Sequence, residues 1–215
     1  MAWLKEFSRI PKVSFLDAET VRIEDVRDFS WSGESGSARW MTRTLSPPDI
    51  EKAYLVSEQF RSWGASHVFV CFTTPLDPIC VSIEARRKEN EPYSIMRGLF
   101  SAYEIIYQYG SARDLIGKRL ERGREVDVCE LILSDEERWQ LFSSIAREAE
   151  ENAHMPQRYH TIKRNCLTEA FRHIPGAPKP PLLPRDAGPL LVSLGKAHPC
   201  DIYDRDDPPP FMGKA

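Results

Sequence analysis

The sequence predicts an α+β fold, an antiparallel sheet flanked by helices, and three observations carry that prediction. HVFVCF (67–72) and ICVSIEAR (79–86) are short runs rich in β-branched and aromatic residues. The TTPLDP between them supplies the Pro and Asp of a turn, so the pair reads as a hairpin. YEIIYQY (103–109) and VDVCELIL (126–133) have the same character and add two strands. SDEERWQLFSSIAREAEENAH, by contrast, opens with Ser134 and Glu137 spaced as a capping box and sets Trp139, Phe142, Ile145, Ala146 and Ala149 on one helical face.

The remaining elements follow in chain order. VRIEDVRDFSW (21–31) alternates Val21, Ile23 and Val26 against Arg22, Glu24 and Arg27, which predicts a strand, and a turn-rich SGESGSA follows. Pro47 and Pro48 introduce DIEKAYLVSEQFRSWG (49–64). There Asp49 can cap, Ile50, Ala53 and Tyr54 share a face and Gly64 can terminate, so a helix is expected. RDLIGKRLERG predicts a short helix between two strands. Asn165 caps another, whose buried stripe is Leu167, Ala170, Phe171 and Ile174. IPGAPKPPLLPRDAGP should be extended, and YDRDDPPPFMGKA reads as a loose tail. No internal repeat is present. The expected organisation is a strand-rich segment (1–48) packing on an α+β core (49–175), followed by a proline-rich extension (176–215).

Composition narrows the function classes. At 215 residues, 41% hydrophobic and 28% charged, the chain suits one globular domain, and wholesale disorder is excluded. Its 29 basic and 32 acidic residues give a net charge of -3, so no basic surplus points to nucleic acid. A mean hydropathy of -0.44 and the lack of an apolar run near 18 residues argue against a membrane-spanning helix. MAWLKEFSRIPKVSF lacks the charged, apolar and small-residue order of a signal peptide, so none is expected in this chain, and a cytoplasmic location stays open. The five cysteines form no CxxC, and His154, His160 and His173 around Cys166 lack zinc spacing. Neither a metal nor another cofactor is expected, and His198 and Cys200 are expected in a loop.

The hairpin carries the first candidate site. With its loop at 73–78, partners are residues whose numbers sum to 151, so His67 faces Glu84, Phe69 faces Ser82 and Cys71 faces Cys80. Val68, Val70 and Phe72 lie with Val81, Ile83 and Ala85 on the other, wholly apolar face. A histidine fixed by a carboxylate is the base half of a nucleophile–base–orienter set. A solvated His–Glu pair is the competing reading, and a register slipped by two would put Ser82 or Arg86 opposite His67 instead. Cys71 and Cys80 are either a cross-strand disulfide or two packed thiols.

Cys166 supplies the second half. It is the first helical residue after Asn165, beside unpaired backbone N–H groups and the positive end of the helix dipole, where a thiol's pKa falls. The same N–H groups can stabilise an oxyanion, while a small buried hydrophobe is the alternative. Ser82, Phe69, Tyr103 and Tyr107 are the candidates to line a substrate cleft, with packing the competing role for the two tyrosines.

VRDFSW, HVFVCF, SIEARR, YEIIY with a following RD, and RYHTIKRNC occur in the order seen in the Lnb-type N-terminal domain, a bacterial envelope family that the chain resembles over roughly residues 10 to 175. That family is itself similar to circularly permuted papain-like domains of the NlpC type. The resemblance implies a periplasmic or envelope setting and thiol-dependent acyl chemistry: His67 as base, Cys166 as nucleophile, and Glu84, or else Ser82, as orienting group. The namesake proteins are lipoprotein acyl transferases, and this sequence departs from them in having no membrane-spanning segment after the domain. Substrates on this reading are acyl- or peptide-bearing molecules, a lipoprotein among them. A peptidoglycan-peptide amidase or peptidase would use the same residues. A non-enzymatic binding module would keep the fold without the chemistry, and a redox-sensing thiol would need Cys166 near another cysteine.

Overall fold

Strand alternation decides which side chains this fold buries, and two helical layers allow both sides of the central strands to be buried. The computed structural model describes residues 2–31, 37–59 and 66–212, with Gln59 described by its backbone. Among them nine strands form one sheet: β1 Lys12–Phe15, β2 Val21–Phe29, β3 Ala38–Leu45, β4 Lys52–Gln59, β5 Ser66–Thr73, β6 Ile79–Arg86, β7 Glu104–Ser111, β8 Val126–Glu130 and β9 Asp201–Tyr203. Their order is β1-β2-β7-β6-β5-β4-β8-β9, with β3 also on β2. All pairings are antiparallel except β2 with β7, which meet in parallel at Arg27 and Gly110. The helices are α1 Ile95–Leu99, α2 Ala112–Leu115, α3 Gly117–Glu121, α4 Asp135–His154, α5 Cys166–His173 and α6 Ala187–Ser193. This is the α+β sheet-and-helix fold that the sequence predicts.

The larger core joins Val68, Val70 and Phe72 of β5 with Val81, Ile83 and Ala85 of β6, under Phe142 and Ile145 of α4 and Leu167 and Phe171 of α5. The expected capping box of α4 is present, with the Ser134 hydroxyl accepting from Glu137 N–H and the Glu137 carboxylate accepting from Ser134 N–H. A second core on the opposite face packs Val56, Phe69, Cys71 and Cys80 against Ala112, Leu115, Ile116 and Leu120. The hairpin face that carries Phe69, Cys71 and Cys80 is therefore covered by α2 and α3, against the competing reading of a solvated face.

That double burial explains the main correction. Residues 52–59 form strand β4 between β5 and β8, not a helix. Ala53 and Leu55 enter one core while Val56 enters the other. Consecutive apolar residues on a strand buried on both faces imitate helical spacing. Asp49 does cap, but within the 3-10 turn Pro47–Asp49, where its carboxylate accepts from Ser46 N–H. Residues 60–64, including the expected stop at Gly64, and 32–36 of the SGESGSA turn lie outside the described residues.

Two further expectations are corrected in the C-terminal region. The proline-rich stretch contains helix α6, entered through the 3-10 turn Pro184–Asp186. Proline suits the first turn because its missing N–H would have no helical partner there. The tail is held as far as Met212: β9 pairs with β8, and the Phe211 ring lies 4.7 Å from that of Tyr54, while residues 213–215 lie outside the described residues. Cys200 lies in a loop, as expected, just before β9, and there it forms a disulfide with Cys129 of β8. Gly188 of α6 packs on that bridge so closely that a Cβ would sit 2.6 Å from the Cys129 sulfur and 2.8 Å from that of Cys200. Gly188→Ala is expected to lower stability by ~1–3 kcal/mol through overpacking, measurable by urea denaturation.

The β5–β6 register is the expected one, pairing Val70 with Val81, Cys71 with Cys80 and Phe72 with Ile79. Cys71 and Cys80 are free buried thiols with their sulfurs 2.7 Å apart. Burial, followed by the neighbouring Cys71, raises the Cys80 pKa well above the usual thiol value.

Candidate functional site

The ladder between β5 and β6 stops at Val70 and Val81, although both strands continue toward His67 and Glu84. Where they part, the N-terminus of α5 comes in, packing on both. Asn165 adopts extended backbone and accepts from Leu167 N–H and Thr168 N–H at 2.9 and 3.0 Å, which starts the helix at Cys166. The Val68 amide, in the part of β5 beyond the ladder, is close enough to the Cys166 sulfur to lower its pKa. Two of the first-turn amides considered as oxyanion donors are consequently engaged by the Asn165 side chain.

The His67 imidazole and the Cys166 thiol act on each other's titration through charge and hydrogen bonding, which puts the two side chains side by side. His67 Nε2 lies 2.7 Å from Ser82 Oγ, which donates to Glu84 Oε1 at 2.9 Å, while Nε2 and Glu84 Oε1 are 3.8 Å apart. A serine hydroxyl that gives its proton to a carboxylate accepts from the ring, which assigns the His67 proton to Nε2 and leaves Nδ1 for the thiol. Ser82 is therefore interposed between His67 and Glu84, at the diagonal position of the ladder. The Phe69 ring stacks near that of His67, with centroids 6.0 Å apart, and the Arg119 guanidinium lies over the Phe69 ring at 4.5 Å from its centroid.

The charges reinforce the pair. Burial alone would raise the Cys166 pKa, but the positive charge and hydrogen bond of His67, with the Val68 amide, bring it below the usual thiol value. Burial would lower the pKa of His67; Cys166 and Glu84 outweigh that and raise it. Glu84 is held down to about 2, because His67, Arg119, Lys118 and Arg27 overcome its burial. Each group thus favours the charged form of its neighbour.

Cys166, His67 and Glu84 open into one cavity of about 670 Å³, within the range for small-molecule sites. Ser82 is fully buried behind them. Phe69, Tyr103 and Tyr107 are also buried and lie outside the cavity lining. Tyr103 accepts from Ser94 N–H and Tyr107 donates to Glu169, both ordinary packing contacts. The walls instead include Tyr93, Tyr159, Lys118 and Arg119, which sequence reasoning missed. Tyr159 had a local signal, since it stands in the same RYHTIKRNC motif as Cys166. Lys118 and Arg119 had none, because they reach the site only through the packing of α3.

Among the described residues no group of His, Cys, Asp and Glu side chains could hold a metal ion, and no helix is long and apolar enough to cross a membrane. No curated protein and no solved structure matches the chain. Its sequence does match the family described as Lnb N-terminal periplasmic domain, over residues 37–194, which include every residue of the Cys166–His67–Ser82–Glu84 arrangement. With more than half of its length matched, the chain belongs to the Lnb N-terminal periplasmic domain family.

Proposed function

We propose that this chain is a cysteine-dependent acyltransferase or hydrolase that works through a thioester on Cys166. The observation that carries the reading is the pairing of His67 with Cys166 at the N-terminus of α5, with Ser82 and Glu84 beside the ring and Cys166, His67 and Glu84 all lining one cavity. His67 takes the thiol proton, and the thiolate attacks an ester or amide carbonyl. The tetrahedral intermediate collapses with cleavage of the C–O or C–N bond, and the leaving alkoxide or amine takes the proton from His67. An amine or water, deprotonated by His67, then attacks the thioester and frees the thiol. Ser82 and Glu84 hold the ring and stabilise its cationic form. The permuted papain-like relationship, lipoprotein acyl transfer and the 1–48, 49–175 and 176–215 organisation are parts of the same proposal. The periplasmic family and the Cys129–Cys200 disulfide support an oxidising envelope compartment.

Alkylation of Cys166 by iodoacetamide between pH 5 and 9 tests the dyad without a substrate. Its lowered pKa predicts alkylation that persists below the usual thiol range and fades only as pH falls through that lowered value. His67→Ala is expected to move the inflection to higher pH. A Cys166 rate profile identical with and without His67 would overturn the reading and leave a binding module as the better account.

A further inference from the structure

The cavity is chemically divided. From α3 and the turn after it come Lys118, Arg119, Arg122 and Arg124, and from the end of β6 comes Arg87. Glu58 and Glu84 also line it. Glu58 takes Arg119 and Arg124, while Glu6, outside the lining, takes Lys118 and lies 4.0 Å from Arg87. Arg122 meets the Trp31 ring, with its guanidinium 5.8 Å from the centroid, and pairs with no carboxylate among the described residues. Among the described residues five cations thus stand against three carboxylates, a local excess of two positive charges in a chain whose net charge is -3. A concave, partly enclosed surface of one sign concentrates ligands of the other.

The other part of the lining is apolar and open. Ile95, Ile162 and Leu182 line the cavity although they are 61%, 58% and 86% exposed, which puts them at its mouth. Met96 of α1 and Phe100 at its C-terminal end are exposed as well. The backbone fixes the rim: Thr161 N–H donates to Gly98 O, and a Cβ on Gly98 would come 2.2 Å from Thr161 Oγ1. Exposed aliphatic residues gathered at the entrance of a cavity mark a place where an apolar ligand leaves water.

We propose that the cavity selects an anionic acyl amphiphile: a fatty acyl ester or amide whose head carries a phosphate or carboxylate. The acyl chain lies on the Ile95–Ile162–Leu182 rim and the anion on the Arg87–Lys118–Arg122 side. This assignment rests on the thiol reading for what happens to the carbonyl, and on the cavity itself for binding. Phosphate and carboxylate share the recognition chemistry, since both accept charge-assisted hydrogen bonds from guanidinium groups.

Calorimetric titration of the Cys166→Ala protein with 1-octanoyl-glycerol 3-phosphate, 1-octanoyl-glycerol and inorganic phosphate separates the contributions. The phosphorylated ester is expected to bind at least about tenfold more tightly than the neutral ester, with the difference shrinking as salt rises. The Arg87→Gln/Arg122→Gln variant should abolish that preference, and Leu182→Ser should weaken both esters. Equal affinity for the two esters, or a preference untouched by the arginine changes, overturns the proposal. Inorganic phosphate binding as tightly as its octanoyl ester would also overturn it, leaving a bare anion site. Mass spectrometry of the wild-type protein with the same ester reads the chemistry separately. Selective binding without an acyl adduct or product would count against the thioester reading alone, whereas an adduct formed equally from both esters would count against the anionic preference alone.

Discussion

Replacing Asp114 with alanine is expected to destabilise the protein by about 3–5 kcal/mol, the cost of leaving a buried cation unpaired. Asp114 and Arg27 are 0% and 2% exposed, with Arg27 Nε donating to the carboxylate at 2.7 Å. The same carboxylate accepts from Phe29 N–H and Trp31 Nε1–H, so the substitution removes acceptors from three donors at once. Asp114 lies on α2, and α3 follows it directly with Lys118 and Arg119 on the cavity wall. Loss of stability should therefore come with a changed rate of Cys166 alkylation. Urea denaturation followed by circular dichroism measures the first effect. The double variant Arg27→Met/Asp114→Leu should recover much of the loss, because it removes the buried charges together. A loss below about 1 kcal/mol for Asp114→Ala would mean that solvent reaches Arg27 and that the α2 anchor is weaker than its geometry implies.

Breaking the Cys129–Cys200 disulfide is the second large effect. The bridge closes a sequence separation of 71 residues, for which removal of a native disulfide costs about 2–5 kcal/mol. It ties β8 to the start of β9 and supports the N-terminal half of α6 through Gly188. Cys200→Ser should lower the melting temperature, and dithiothreitol should bring the wild type to a similar value while leaving the variant unchanged. Hydrogen exchange should rise first in β9 and α6, the elements held by the bridge. If reduction left the wild-type melting temperature unchanged, β9 and α6 would have to be held by their noncovalent packing alone.

The central hairpin and α5 were legible in the sequence because their determinants are local. A loop of defined length sets the β5–β6 register, and Asn165 sets the first turn of α5. The residues that line the cavity were less legible. Phe69, Tyr103 and Tyr107 are aromatic residues on strands near the thiol, yet their side chains are buried in packing. Periodicity tells that a residue has a covered side without telling whether protein or ligand covers it. β4 was misread for a related reason, since its helical spacing came from burial on two faces.

Local chemistry in the sequence alone determined the strands β5 to β8, the long amphipathic helix, the cap before Cys166 and the pairing of Cys71 with Cys80 across the hairpin. Each depends on residues within a few positions of one another or across a short loop. Tertiary structure alone decided that the strands part beyond Val70, that Ser82 stands between His67 and Glu84, and that Cys129 bonds to Cys200. It also brought the cations of α3 and the aliphatic residues around α1 to one cavity. Those contacts join segments tens of residues apart or depend on where a ladder ends, and no local pattern encodes how such surfaces meet.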